Sequence, residues 1–156
     1  MEEKQTIGWK EWLALPGLGI PAIKAKIDTG ARTSSLHTYQ LEKFTQDGKD
    51  FVRFGIHPLQ KNSELSITCE SEIIDMRVVK DSGGHEEERI FIRTPVQLNN
   101  KKWDIEISLT SRENMLFRML LGRTGLISGD LNVDSALGYT AGKGVAESYE
   151  ILNKVK

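Results

Sequence analysis

Ile23, Ala25 and Ile27 alternate with Lys24 and Lys26, the two-residue period of a strand with one buried face. Ahead of this run lies Ile7-Gly8-Trp9-Lys10-Glu11-Trp12-Leu13-Ala14-Leu15, rich in aromatic and apolar residues, closed by the turn signal Pro16-Gly17-Leu18-Gly19. The two segments read as a hairpin whose second strand runs directly into Asp28-Thr29-Gly30. Further β-branched and aromatic runs predict strands over Phe51–His57, Leu65–Cys69, Glu72–Lys80, Arg89–Thr94 and Trp103–Leu109. Turn signals separate them at Asp47-Gly48, Asn62-Ser63, Ser82-Gly83-Gly84 and Asn99-Asn100. Short strands at regular spacing predict a mainly β architecture, closed or sandwiched. Helical periodicity is scarce. Met115–Leu121 is too short to assign alone, Val145–Val155 suits a short helix, and residues 128–144 read as loop. No linker divides the chain, so the expectation is one domain over residues 1–156 with a loop-rich tail from 128.

Totals narrow the function classes. A length of 156 residues suits a single core without staples. A net charge of −1 gives no general attraction to nucleic acid or an anionic membrane. No apolar run approaches a membrane span, and Met1-Glu2-Glu3-Lys4 does not read as the start of a signal peptide. One cysteine, Cys69, excludes an internal disulfide. These features favour the cytosol. Three histidines and one cysteine are a thin supply for a dedicated metal site.

The candidate chemistry lies in Asp28-Thr29-Gly30-Ala31. An aspartic peptidase needs two carboxylates facing each other across one water, which cannot both ionise cheaply and so share a proton. The ionised one acts as general base on the water, and the protonated one polarises the scissile carbonyl. Each Asp must sit on a tight, rigid loop. Asp28 is the candidate catalytic residue. Gly30 lets the backbone turn and approach closely, Thr29 can hydrogen-bond to an opposing loop, and Ala31 and Ser34 keep the surroundings uncrowded. Much later, Met119-Leu120-Leu121-Gly122-Arg123 offers an apolar pair and a glycine, which suit a strand passing beneath such a loop. Read alone, that run is a core strand ending at a glycine turn.

Together these segments resemble the retropepsins. Ala25-Lys26-Ile27-Asp28-Thr29-Gly30-Ala31-Arg32-Thr33-Ser34-Ser35-Leu36-His37 is similar to the signature of a bacterial and archaeal retropepsin-like family. So are Ser82-Gly83-Gly84 with Glu87-Glu88-Arg89, and Arg112 through Met115-Leu116-Phe117 to Leu120-Leu121-Gly122-Arg123. That family carries the label of ATP-dependent zinc proteases and neighbours ATP-grasp ligases that add glutamates to protein tails. The resemblance implies a closed acid-protease barrel, with Leu120, Leu121 and Gly122 supporting the loop. It implies a homodimer, because the chain supplies one Asp-Thr-Gly, with Arg123 supporting the dimer near the site. It implies a peptide or protein-tail substrate and an association with an ATP-grasp ligase. Zinc and ATP find no counterpart in the residues: His85-Glu86-Glu87-Glu88-Arg89 lacks the second histidine of His-Glu-x-x-His, and there is no P-loop. No cofactor is expected.

Other candidates surround this centre. Ser82 to Glu88 suits a hairpin flap, with Gly83 and Gly84 at its tip and His85 able to touch a ligand, or else a solvated loop. Arg32, Arg112 and Arg123 could pair with substrate carboxylates, although structural ion pairs are the commoner use of such residues. Arg32, Ser34, Gly83, Gly84, His85 and Arg112 form the candidate substrate-binding set. His37, His57 and Cys69 read as packing residues, and Trp9, Trp12 and Trp103 as core or dimer contacts. One alternative is a noncatalytic module that grips an acidic tail or a ligase, and another is a metal-dependent hydrolase.

Overall fold

The computed structural model describes residues 4–59, 65–80, 83–111 and 117–142. Alternation sets the first hairpin. Within Lys10–Leu15 (β2), residues Glu11, Leu13 and Leu15 are buried and the residues between them are half-buried. Ile20–Ile27 (β3) buries Ile20, Ala22, Ile23, Ala25 and Ile27 and exposes Pro21 and Lys26. The strands pair antiparallel. They are joined by a 3-10 turn over Pro16–Leu18 and by Gly19 at φ 72°, a left-handed conformation that glycine adopts without a Cβ clash.

The other strands are Gln5–Ile7 (β1), Ser34–His37 (β4), Tyr39–Gln46 (β5), Lys49–Ile56 (β6), Ile67–Glu72 (β7), Asp75–Lys80 (β8), Glu86–Leu98 (β9), Lys101–Thr110 (β10), Met119–Leu121 (β11) and Leu131–Val133 (β12), with one helix, Arg123–Ser128 (α1). The chain is mainly β. Seven strands form a sheet in the order β10-β4-β11-β3-β2-β9-β8, and β10 also pairs with β9. The pairings therefore run round a ring of six strands, with β8 attached outside it. One link in that ring, β2 to β9, is Ala14 opposite Gln97. Strands β5, β6 and β7 make a second sheet, and β1 and β12 pair parallel.

Both larger sheets feed one core. Val52, Phe54, Ile56 and Cys69 from the second sheet join Leu13, Ile23, Ile92, Leu98 and Ile107 of the first in one buried cluster. Each such Leu, Ile or Phe contributes about 1.5–3 kcal/mol on burial. Burial pushes the Cys69 thiol up to about 12, which keeps it neutral and a poor nucleophile at physiological pH.

Each predicted strand overlaps an observed one, from β6 to β10, and the predicted turns hold the left-handed residues Asp47, Gly48 and Asn99. The structure adds β4, β5 and α1. It also places β12 inside the segment read as loop. The helix predicted over Val145–Val155 lies outside the described residues. No helix among the described residues is long and apolar enough to cross a membrane.

One buried carboxylate organises the ends of the described chain. Glu11 is fully buried. Its Oε2 accepts the N–H of Gly8 at 2.8 Å, and the N–H and hydroxyl of Thr140 at 3.0 and 2.7 Å; Oε1 accepts the Ala141 N–H at 3.2 Å. Backbone bonds from Trp9 N to Leu137 O and from Tyr139 N to Lys10 O, each 2.9 Å, complete the seam between β2 and this returning segment. Each of these partners is a donor. Glu11→Gln turns one acceptor into an opposing donor and is expected to destabilise the fold by about 1–3 kcal/mol. A denaturant midpoint unchanged from wild type would contradict this account.

Candidate active site

Asp28 follows directly on Ile27, where β3 leaves the sheet. Strand β11 lies between β3 and β4, parallel to the first, with Met119 opposite Ala25 and Leu121 opposite Ile27, and antiparallel to the second. The Asp28 N–H extends the ladder by donating to Leu121 O at 2.9 Å. A turn then closes as the Ala31 N–H donates to Asp28 O at 3.3 Å. The Gly30 N–H donates to Asp28 Oδ1 at 2.9 Å and so orients the carboxylate. A Cβ on Gly30 would stand 3.2 Å from that oxygen, and its φ is ordinary; what glycine supplies here is room for the carboxylate. Asp28 is half-buried and Thr29 and Gly30 are exposed, so the loop presents its acid at the surface.

Gly122 locks the loop from below. Its N–H donates to Ser34 Oγ at 3.0 Å, while Arg123 N and Thr124 N donate to the carbonyls of Ala31 and Arg32 at 2.8 and 3.0 Å. A Cβ on Gly122 would lie 2.5 Å from Thr33 O, so no larger residue fits without movement of backbone. Arg123 Nη1 donates to Thr29 O at 3.0 Å, tying the tip of the loop to the start of α1. The helix is held in turn by Trp103, whose indole N–H donates to Gly125 O at 3.0 Å. Leu121 and Gly122 of this run both bond to the segment that carries Asp28, with Leu121 buried and Leu120 half-buried.

Ser34 calls for a correction. Expected among the substrate-binding residues, it is fully buried, with its hydroxyl on the Gly122 N–H and its carbonyl accepting Ser108 Oγ at 3.3 Å. It braces the loop from inside. Gly83, Gly84 and His85 are exposed at the turn of the β8–β9 hairpin, where Gly84 takes φ 84°. Arg112 lies outside the described residues.

A cleft of about 580 Å³ adjoins the loop. Arg32 and Thr33 line one side, Arg77, Val78, Val79 and Lys80 of β8 another, and Phe91, Glu106 and Thr124 complete it. Arg77 is the anchored member. Its Nε donates to Asp75 Oδ2 at 2.5 Å, Nη2 to Glu106 Oε2 at 3.3 Å, and its guanidinium lies 4.3 Å from the centroid of Phe91. The Arg77 hydrogen bond, helped by the Met76 N–H, holds the Asp75 carboxyl below the usual carboxylate range. Sequence reading singled out Arg32 and missed Arg77, Lys80 and Glu106. The available signal was the two-residue period of residues 75–80, which puts Arg77 and Val79 on one face.

Among the described residues the donors do not assemble a zinc site. The His37 side chain is buried, His57 is stacked on Tyr39 with ring centroids 4.2 Å apart, and His85 is exposed on the hairpin. Among the described residues no group of three or more His, Cys, Asp or Glu could hold a metal ion.

Comparison with known proteins shows the family and a structural likeness. The profile of the RimB-like family, described as retropepsin-like aspartic endopeptidase RimB, matches residues 6–144. A protein of Desulfotalea psychrophila named "Probable alpha-L-glutamate ligase" is 46% identical over 145 residues, covering 93% of this chain and 31% of that protein. A Shewanella pealeana protein of the same name is 41% identical over 142 residues, covering 91% of this chain and 31% of its own length. The chain thus spans about a third of these relatives. The crystal structure of a Legionella pneumophila protein of unknown function superposes with a TM-score of 0.76 at 27% identity, covering 89% of this chain and 99% of that one.

Proposed function

Since this chain belongs to the RimB-like family of retropepsin-like aspartic endopeptidases, we propose that it hydrolyses peptide bonds with Asp28 as its catalytic carboxylate. One observation carries this reading: the Asp28 loop is clamped by Leu121, Gly122, Arg123 and Thr124, with the carboxylate oriented by Gly30. Such preorganisation is what an acid–base pair needs. One chain contributes one such acid, so the second comes from a second copy about a two-fold axis. The ionised Asp28 takes a proton from the water while the water oxygen attacks the scissile carbonyl. The protonated Asp28 of the other copy donates to the developing oxyanion. The tetrahedral intermediate then collapses, with the proton passing to the leaving amine. In the dimer Thr29, exposed on each loop, would bond across to its counterpart.

The substrate in this reading is an acidic peptide. The relatives carry the name "Probable alpha-L-glutamate ligase", and the cleft that Arg32 and Thr33 line beside the loop also carries Arg77 and Lys80. The β8–β9 hairpin would close over the peptide as a flap. We read the ring of strand pairings as a barrel of acid-protease type, the chain as one domain, and its setting as the cytosol, in association with an ATP-grasp ligase.

The test joins solution and crystal work. Sedimentation should give a dimer, and its crystal structure should put the two Asp28 carboxylates within hydrogen-bonding reach of one water. The wild-type dimer should release shorter products from a glutamyl peptide. A dimer with the carboxylates far apart that binds the peptide uncut would overturn hydrolysis in favour of a binding module.

A further inference from the structure

The cleft beside the Asp28 loop already contains a carboxylate. Glu106 stands in β10, about one-third exposed, and borders both this cleft and a second one of about 410 Å³ lined by Arg93, Asp104, Ile105, Thr124 and Ser128. Its Oε2 accepts from Arg77 Nη2 at 3.3 Å, and its Oε1 lies 3.8 Å from Nη2 of Arg93, the residue opposite it on β9. Among the described residues Arg32 and Lys80 make no ion pair. Among the described residues Arg77 is therefore the one cation of the cleft held by acids.

We infer that Glu106 is a specificity-determining residue, an internal counter-ion on Arg77 that an acidic substrate side chain displaces. This rests on the acidic-peptide reading above. The two acids on Arg77 are unequal. Asp75 bonds Nε at 2.5 Å from two residues away, whereas Glu106 makes the longer contact and divides its oxygens between two arginines. Glu106 is the partner that exchanges. It is not stranded when it does, because Arg93 remains beside it on the neighbouring strand. A substrate carboxylate that takes its place on Arg77 enters the cleft that Arg32 and Lys80 also line, and among the described residues neither of these makes an ion pair. A neutral or basic side chain cannot displace Glu106. Glu106 thus sets how strongly the cleft favours an acidic side chain over a neutral one, and its removal widens that preference.

The experiment measures binding in the Asp28→Asn background, where turnover does not interfere. An oligoglutamyl peptide and its glutamine counterpart are titrated at low salt into protein carrying E106Q, R77Q, both or neither. Removing the counter-ion should tighten oligoglutamyl binding about three- to fivefold, the scale of an exposed ion pair. Binding of the glutamine peptide should not change. R77Q should weaken oligoglutamyl binding, and in that background E106Q should no longer tighten it, since the coupling runs through Arg77. Equal affinity of E106Q and its parent, or a gain of the same size with and without Arg77, would overturn the inference while leaving the substrate reading intact. No oligoglutamyl binding in any background would overturn both.

Discussion

Asp28→Asn is expected to lower hydrolysis at least about a thousandfold and to leave the fold unchanged. Asparagine has nearly the same shape and keeps an Oδ1 that can accept the Gly30 N–H, which Asp28 accepts at 2.9 Å. The backbone bonds from Asp28 N to Leu121 O and from Ala31 N to Asp28 O do not involve the side chain. The loop therefore retains its geometry, and thermal unfolding should coincide with that of wild type. What disappears is an oxygen able to take a proton from water, in both copies of a dimer at once. Mixed dimers that join one wild-type chain to one D28N chain sharpen the test. If water activation needs the pair of carboxylates, they should be as inactive as the dimer substituted in both copies. If each Asp28 worked alone, they should retain half the activity. A homogeneous variant cleaving peptide at the wild-type rate would sink the aspartic mechanism.

Much of this centre was legible in the sequence because its signals are local. The alternation of Ile23, Ala25 and Ile27 fixes β3 and its burial. Asp47-Gly48 and Asn99 mark hairpin turns because their backbones take positive φ. Asp-Thr-Gly at the end of such a strand, and Leu-Leu-Gly later, each specify a short piece of backbone. What escaped was held by distant partners. Strand β5 is exposed or half-exposed throughout, so it carries no apolar period to read. Helix α1 has six residues, with a glycine among them and no side-chain cap. Ser34 looked like a small residue near a binding site, but its hydroxyl bonds a backbone N–H 88 residues away. Glu11 shares an inward face with Leu13 and Leu15, an anomaly visible in the sequence, yet its donors at Thr140 and Ala141 are not. The pairing of Arg77 with Glu106 spans 29 residues and depends on how β8 and β10 flank β9.

Gly122→Ala is the second large effect, and it separates support of the loop from its chemistry. Gly122 has φ −92°, open to any residue, so backbone strain is not the issue. Space is. The new Cβ would meet Thr33 O at 2.5 Å, Thr33 C at 2.6 Å and Ala31 O at 3.0 Å. All of these are backbone atoms of the loop that carries Asp28. That loop cannot recede freely, because Ser34 Oγ, Ala31 O and Arg32 O hold the N–H groups of Gly122, Arg123 and Thr124. Relief of the clash must lengthen several of these bonds together. A stability loss of about 2–4 kcal/mol is expected, at the upper end of overpacking in a fitted core. Activity should fall further than stability explains, by about a hundredfold at temperatures where the variant is fully folded, because Asp28 moves relative to its partner. Ser34→Ala provides the contrast. It removes one bond to Gly122 without adding volume, and should lower stability by about 1–2 kcal/mol with a smaller effect on rate. Denaturant midpoints and peptide turnover, measured on both variants, check the ordering. Equal losses of rate from the two would mean that the hydrogen bond, rather than the space under the loop, positions Asp28. If Gly122→Ala kept both wild-type stability and wild-type rate, the clamp beneath Asp28 would have no part in the chemistry.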